Sequence, residues 1–273
     1  MDESQIRDTL EKGLTEDQAR AVKSPKRCVL VVAGAGSGKT EVMARRIAWW
    51  IGIEKVPKDS IVAFTFTERA AGEMKFRIRE WLEQITPSGD EVSLGGMYIG
   101  TIHGYCLKKL RELWPDTYYN YDILDEAARA ALILRGFDAL GLRGLQNVLG
   151  QGQYATLEAF TTAYDQLHEH DCFEVQLPSD EPPIELGKAE IGWCASAKLC
   201  TRVGQMKKAR AFALSAARYY AYLRCRRFLD FSTSQSEFVR NLRCDELRRR
   251  ELHGQGIHLV VDELQDINPV QLT

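Results

Sequence analysis

The stretch "CVLVVAGAGSGKT", residues 28–40, constrains this chain more than any other stretch. It places an apolar run directly before a glycine-rich turn that ends in Lys39 and Thr40. Glycines let backbone N–H groups point inward around an anion, because no side chain blocks the approach. A helix that begins at such a turn adds the positive end of its dipole. The pattern therefore predicts a strand, a phosphate-binding loop and a helix in succession.

Each residue of this loop has an expected role. The Lys39 ammonium group would reach the β- and γ-phosphates of a nucleotide, and the Thr40 hydroxyl group would bind Mg²⁺. Ala33 stands where the usual G-x-x-x-x-G-K-[ST] pattern begins with glycine, and we interpret it as a tolerated small residue. The residues expected to bind the nucleotide are Ala33, Gly34, Ala35, Gly36, Ser37, Gly38, Lys39 and Thr40. A glycine-rich turn that arose by chance is the alternative, which the complete G-K-T ending disfavours.

A second apolar run, 258–261, leads directly into two carboxylates, Asp262 and Glu263. A buried parallel strand delivers side chains to its carboxyl end in this way. Asp262 is predicted to hold the Mg²⁺ that Thr40 also contacts. Glu263 is predicted to polarise a water molecule for attack on the γ-phosphate. Taken alone, such a pair would be interpreted as a solvated helix cap, but the phosphate loop favours the catalytic interpretation.

The distribution of strand and helix signals predicts an α/β protein. Four runs rich in β-branched or aromatic residues predict buried strands at 28–33, 60–66, 97–102 and 258–261. Helical patterns at 39–51, 68–85 and 104–113 follow the first three, which indicates a parallel sheet. From about residue 112 to about residue 226 the strand signal disappears and helical patterns dominate. We therefore expect a core at 1–111 plus 227–273 and an all-α insertion at 112–226.

Composition narrows the class of protein. The chain has 273 residues, of which 45% are hydrophobic and 27% charged, as in globular proteins with a core. No apolar run approaches ~18 residues, and the amino end lacks the pattern of a signal peptide. Seven cysteines without a C-x-x-C pair are typical of reduced thiols. We therefore expect a cytoplasmic protein without a membrane span.

The charge is unevenly distributed although the formal net charge is only −2. Residues 151–200 contain nine acidic and two basic residues, whereas residues 202–250 contain thirteen basic and four acidic residues. One face could therefore attract phosphates, although arginine-rich helices with solvated faces are the alternative. The stretch "HEHDC", 168–172, could in principle bind zinc, but it offers no evident fourth ligand and is interpreted as a solvated acidic turn.

Five segments, in this order and approximate spacing, resemble the UvrD/Rep-like superfamily-one DNA helicases. They are "LTEDQARAV" (14–22), "AGAGSGKT" (33–40), "AFTFTERAAGEM" (63–74), "YIGTIHGYCLKKL" (98–110) and "VVDELQDINPVQL" (260–272). The closing D-E-x-Q-D form is the most specific of them. The resemblance implies a RecA-like P-loop NTPase sheet flanked by helices, with an all-α inserted subdomain. It also implies ATP and Mg²⁺ as cofactors, single-stranded and duplex DNA as partners, and unwinding in the 3′ to 5′ direction.

The resemblance assigns further roles at the nucleotide site. Gln18 matches the glutamine that reads adenine in the family, although Thr15-x-x-Gln18 also fits a helix capping box. Gln265 matches the glutamine that senses the γ-phosphate and couples it to the DNA side. The family often has arginine after the Lys-Thr pair, where this chain has Glu41.

The resemblance also implies a path for single-stranded DNA. Phe66 and Thr67 match a segment that touches the strand, and an aromatic face stacks on any base. The alternative is that Phe66 ends a buried strand and Thr67 caps the next helix. Thr101 and His103 match a second DNA-facing turn, with Thr101 on a phosphate. The family commonly has Asn-Lys after the first threonine, where this chain has Glu68 and Arg69.

Helicases of this family close two similar domains around ATP, and the second domain supplies arginines to the transferring phosphoryl group. The expectation is therefore an amino-terminal part of an ATP-dependent DNA helicase, without its carboxyl-terminal motor domain. Such a part would bind ATP-Mg²⁺ and single-stranded DNA but turn over little ATP by itself. A stand-alone regulatory module that binds ATP or DNA without motor activity is the alternative. A phosphate-loop kinase is disfavoured by the D-E-x-Q-D ending.

Overall fold

The computed structural model describes residues 1–34, 36–87, 90–170 and 203–272, which form two compact units. The mixed unit comprises Met1–Tyr105 and Leu247–Asp266, and the helical unit comprises Cys106–Glu246 and Ile267–Thr273. The helix at Phe231–Cys244 lies in the helical unit, and the division into a core at 1–111 plus 227–273 and an insertion at 112–226 stays a prediction.

A three-stranded parallel sheet forms the centre of the mixed unit. Its strands are β1 (Ile61–Phe64), β2 (Tyr98–Gly100) and, near the carboxyl end, β5 (His258–Val261), in the order β2-β1-β5. The helices of this part of the chain are α1 (Glu3–Glu11), α2 (Glu16–Val22), α3 (Lys39–Gly52), α4 (Glu68–Ile85) and α5 (Ile102–Leu113). A short 3₁₀ turn, Lys58–Ser60, leads into β1. The predicted α/β class and parallel sheet are thus confirmed.

The core of the mixed unit lies on one face of this sheet. Alternating residues Ile61 and Ala63 of β1 join Ile99 of β2 in a buried apolar cluster. The cluster also includes four apolar residues of α4, which are Met74, Ile78, Leu82 and Ile85. The opposite face of β1 is covered near its end, where Tyr105 packs edge-on against Phe64 at 5.3 Å between ring centroids.

The predicted strand at 28–33 is wrong. The segment pairs with no strand among the described residues, and its apolar side chains are exposed, up to 89% at Val32. A strand needs a ladder of backbone hydrogen bonds with a neighbour. The described sheet has the order β2-β1-β5, and 28–33 forms no such ladder with any of these strands.

The helical unit is built from α-helices that enclose a separate core. Its helices besides the end of α5 are α6 (Pro115–Tyr118), α7 (Glu126–Arg135), α8 (Leu142–Leu149), α9 (Gln153–Glu169), α10 (Val203–Arg226) and α11 (Phe231–Cys244). A further helix, α12 (Glu246–Gly254), leads back to β5. The core includes Ile133, Phe160, Tyr164 and Tyr219, all of them fully buried.

Two features of the helical unit depart from the sequence prediction. A two-residue strand, β3 (Asp122–Ile123), lies in the stretch expected to be all-α and pairs in parallel with β4 (Phe228–Leu229). Within the stretch interpreted as a solvated turn, His168 is instead 2% exposed, and its Nδ1 lies 2.6 Å from the Ser236 hydroxyl oxygen. Cys172 lies outside the described residues. Among the helices that are described, none is both long and apolar enough to cross a membrane.

Candidate nucleotide and DNA site

Two glycines of the predicted phosphate loop have a left-handed backbone. Gly36 and Gly38 have φ angles of 73° and 83°, in the left-handed region that glycine adopts without steric cost. Among the described residues, no atom outside the neighbouring residues lies within 4 Å of the Cβ position at Gly34 or Gly36. The Ser37 hydroxyl group donates to the Gly34 carbonyl at 2.7 Å, which closes the turn. Ala35 lies outside the described residues.

The three predicted catalytic residues lie together at the carboxyl end of β5. Lys39, the first residue of α3, places its Nζ 3.7 Å from Glu263 Oε1 and 3.4 Å from the Ala33 carbonyl oxygen. Gln265 donates from Nε2 to Glu263 Oε2 at 2.6 Å. The loop lysine, the acid and the glutamine therefore form one chain of contacts, although more than two hundred residues separate Lys39 from Glu263.

Sheet pairing fixes the two carboxylates. The Asp262 N–H group donates to the Phe64 carbonyl at 2.9 Å, which continues the β1–β5 ladder by one residue. The chain then turns sharply at Glu263, whose φ of 49° is in the left-handed region that non-glycine residues rarely adopt. Asp262 Oδ1 accepts from the Glu263 N–H group at 3.0 Å and stabilises this turn. Strain of this kind concentrates at functional sites.

The environment shifts the two carboxyl pKa values in opposite directions. Burial raises the pKa of Asp262, and the adjacent Glu263 charge raises it further. The hydrogen bond from Gln265 lowers the pKa of Glu263, and the Lys39 charge lowers it too. Glu263 is therefore ionised readily, and a cation bound at Asp262 would offset the cost of ionising that partly buried group.

The residues present fit a magnesium ion that keeps most of its water. Mg²⁺ is usually bound through one or two protein ligands together with the substrate phosphates. Thr40 and Asp262 are the predicted ligands, and no group of three or more His, Cys, Asp or Glu side chains in the described ranges could hold a metal by itself. A hydroxyl group and a carboxylate are oxygen ligands, which suit Mg²⁺ better than a softer metal.

Gln18 has the capping role that the sequence offered beside the reading of adenine. It forms a capping box, since the Thr15 N–H group donates to Gln18 Oε1 at 2.9 Å and the Gln18 N–H group donates to the Thr15 hydroxyl oxygen at 3.3 Å. Its amide nitrogen also donates to the Ser37 carbonyl at 3.0 Å. Gln18 thus ties α2 to the phosphate loop, and its contact with adenine remains a prediction.

Glu41 has a structural role that the sequence did not indicate. Its carboxylate accepts from Arg45 Nε at 2.8 Å, from Trp81 Nε1 at 3.0 Å and from Arg77 Nη1 at 3.3 Å. Two of these partners lie 36 and 40 residues away on α4, so no local signal could have revealed them. The acid therefore links α3 to α4.

The first predicted DNA segment is partly exposed. β1 ends at Phe64, and Phe66 is 66% exposed, so the alternative that Phe66 ends a buried strand is wrong. The other half of that alternative is confirmed, because the Thr67 hydroxyl oxygen accepts from the Ala70 N–H group at 3.1 Å and caps α4. An exposed aromatic ring beside a helix start is a surface on which a base can stack.

The second predicted DNA segment is more enclosed. Thr101 is 2% exposed and donates its hydroxyl proton to Glu68 Oε1 at 3.0 Å. Its oxygen lies 3.1 Å from His103 Nε2. Burial lowers the pKa of His103, and the Glu68 charge partly opposes that effect. The sequence did not single out Glu68 as a partner of Thr101, because 33 residues separate them.

Comparison with known proteins agrees with these features. The family model described as the UvrD/REP helicase N-terminal domain matches residues 14–273. DNA helicase II of Escherichia coli is 38% identical over 144 residues, which cover 52% of this chain and 18% of that protein. ATP-dependent DNA helicase UvrD1 of Mycobacterium leprae is 29% identical over 268 residues, which cover 97% of this chain and 30% of that protein. ATP-dependent DNA helicase PcrA of Bacillus subtilis is 37% identical over 130 residues and is covered to 16% of its length.

Proposed function

We propose, from the premise that the chain belongs to the UvrD/REP helicase family, that it binds ATP-Mg²⁺ and single-stranded DNA as part of an ATP-driven helicase. The observation that carries the proposal is the chain of contacts from Lys39 through Glu263 to Gln265 at the end of β5. Because the matched part is 16% to 30% of the three relatives described above, translocation and unwinding belong to the proposal for the whole protein. The 3′ to 5′ direction rests on the resemblance alone.

The same proposal covers the architecture. The mixed unit is the RecA-like P-loop core, and the helical unit is its all-α insertion. Support comes from the parallel order β2-β1-β5 and from the placement of acidic residues at the end of β5. In open α/β sheets, ligands bind outside the carboxyl ends of the strands, which is where these acids lie.

The contacts suggest how the residues divide the chemistry. Lys39 now has Glu263 as its anionic neighbour at 3.7 Å. An arriving γ-phosphate would take over Lys39 as its partner, and the Glu263 carboxylate would then be free to orient and deprotonate a water molecule. Gln265, which donates to Glu263, would report that exchange to the residues that follow it.

DNA binding is proposed at the end of β1 and at the start of α5. Phe66 offers an exposed ring for stacking, and the adjacent start of α4 offers N–H groups for a backbone phosphate. Stacking does not depend on base identity, so the proposed binding is independent of sequence. Backbone phosphates supply most of such affinity, which makes it strongly dependent on salt.

The test is fluorescence anisotropy with a labelled single-stranded oligonucleotide. We expect Phe66→Ala to weaken binding by about 1–3 kcal/mol if the ring stacks on a base. Phe76→Ala is the matched control, because Phe76 is a similarly exposed phenylalanine, at 64%, on the side of α4 away from the core. Equal affinities of both variants and the parent protein, with all three folded by circular dichroism, would remove Phe66 from the DNA site.

A further inference from the structure

The Glu68 carboxylate accepts a hydrogen bond from the Thr101 hydroxyl group, which is expected to bind a DNA phosphate. Thr101 Oγ1 lies 3.0 Å from Glu68 Oε1, and its remaining neighbours are His103 Nε2 at 3.1 Å and the Gly104 N–H group at 3.4 Å. A threonine hydroxyl group has a single proton to donate. While that proton is directed at Glu68, Thr101 has none for a phosphate.

We propose that Glu68 is an internal anion that holds the Thr101 hydroxyl group in the absence of DNA and is displaced by a backbone phosphate when single-stranded DNA binds. This inference rests on the proposed function, because it assumes that DNA reaches the turn at Thr101. Carboxylate and phosphate oxygens compete for the same donors, so one anion can stand in for the other. Glu68 is thus a restraining residue of the site and not part of the reaction.

The structure lets Glu68 move while the donors stay fixed. Glu68 is exposed in the first turn of α4, and its backbone is held by the Thr67 cap. Rotation of its side chain into solvent therefore breaks no helix contact. The backbone of Thr101 is held in place, because the Tyr98 hydroxyl group donates to its carbonyl oxygen at 2.7 Å. Thr101 is 2% exposed, so in the proposed exchange a phosphate takes the place of the Glu68 carboxylate at the hydroxyl group.

Electrostatics point in the same direction. The exchange removes a carboxylate from the site at which a phosphate arrives, which relieves a like-charge repulsion. The Glu68 charge also acts on His103, whose pKa it raises against the larger lowering effect of burial. Once Glu68 is neutral or absent, the site should attract a phosphate more strongly, and His103 should be harder to protonate.

The experiment compares Glu68→Gln and Glu68→Ala with Glu73→Gln in the anisotropy assay. Glu73 is an exposed acid on the same helix, so Glu73→Gln makes the same change in net charge as Glu68→Gln. Glu73 pairs with Arg69 at 3.5 Å. We expect both Glu68 variants to bind the oligonucleotide roughly three- to tenfold more tightly than Glu73→Gln does. Adding Thr101→Val, which removes the hydroxyl group, should abolish that gain.

A second measurement does not depend on DNA. The pKa of His103, followed by NMR of the imidazole ring, should fall in Glu68→Gln and stay at the parent value in Glu73→Gln. Equal DNA affinity of Glu68→Gln and Glu73→Gln, or a gain that persists with Thr101→Val, would overturn the inference. If Phe66→Ala weakens binding in the same assay, the proposed function survives that result. Failure of the folded parent protein to bind any oligonucleotide would instead overturn both.

Discussion

Asp262 and Glu263 are adjacent acids with different environments, which suits different tasks. The pKa of Asp262 is raised by burial and by Glu263, whereas the pKa of Glu263 is lowered by its contacts with Gln265 and Lys39. Pairs of titratable groups whose pKa values are pushed apart commonly divide acid, base and ligand roles. The sequence predicted the pair and its roles, but it could not predict the direction of either shift.

We predict that Glu263→Gln lowers the pKa of Asp262, because it removes a neighbouring like charge. Mg²⁺ requires the ionised carboxylate, so affinity for the metal is lost as pH falls through the raised pKa. In Glu263→Gln this loss should move to lower pH. Carbon-detected NMR titration of Asp262 measures the shift, with Asp266→Asn, three positions after Glu263, as the control substitution. An Asp262 pKa that stays the same or rises would show that Glu263 does not act on it.

Local sequence patterns predicted the hydrogen-bond partners of some residues but not those of others. Gln18 was predicted as a capping-box residue because the Thr15-x-x-Gln18 spacing is itself the cause of that contact. A helix cap at Thr67 was the alternative to DNA contact there, and the hydrogen bond from the Ala70 N–H group confirms the cap. The α4 partners of Glu41 and the Thr101 partner of Glu68 were not predictable, since they lie 33 to 40 residues away and depend on tertiary packing.

Among the elements, both ends of α4 were predicted correctly, whereas the strand predicted at 28–33 is wrong. The helix at Glu68–Ile85 has an apolar stripe of helical period and its own cap, so its own sequence determines it. A strand is defined by its neighbour, and periodicity cannot tell whether a neighbour is present. The short pair β3–β4 was missed for the same reason, because two residues give no period.

The face of β5 that carries Leu259 is uncovered. Leu259 is paired in register with Val62, yet Leu259 is 51% exposed and Val62 only 4%. An exposed apolar residue on an edge strand favours association between copies.

We predict that Leu259→Lys reduces self-association, measured by sedimentation velocity, without loss of folded structure. Val260→Lys is the control, because Val260 packs against the core and its substitution should unfold the protein. Unfolding by Leu259→Lys as well would contradict this account of the sheet.

At the scale of the whole molecule, the helical unit carries an acid-sensitive group. His168 is buried in it, and burial lowers its pKa to about 4. The unfolded chain has a histidine pKa of about 6.5 and so binds more protons than the folded chain between these values. The contribution of His168 to the free energy of unfolding is therefore fully present above about pH 6.5. It is lost as the pH falls toward 4, by ~3 kcal/mol in total.

We predict that His168→Gln flattens this part of the pH profile of the free energy of unfolding, measured by urea denaturation. His170→Gln is the matched control, because it makes the same substitution at the carboxyl end of the same helix. A variant profile as steep as that of the parent protein would assign the acid sensitivity to other groups.

The organisation of the whole chain could be predicted in outline. The motif order indicated the α/β core and a helical segment, because phosphate loops and acidic strand ends follow local rules. The assignment of Phe231–Cys244 to the helical unit could not be predicted, since it depends on tertiary packing. The same holds for the buried environment of His168.

Binding of ATP-Mg²⁺ through the phosphate loop is the central claim, and isothermal titration calorimetry with a slowly hydrolysed ATP analogue tests it most directly. The account predicts that the parent protein binds in the presence of Mg²⁺ and that Lys39→Ala loses most of that affinity. Lys75→Ala, which removes an exposed lysine on α4, should bind like the parent protein. Equal binding by Lys39→Ala and the parent protein, with both folded, would contradict the assignment of the loop and of the function built on it.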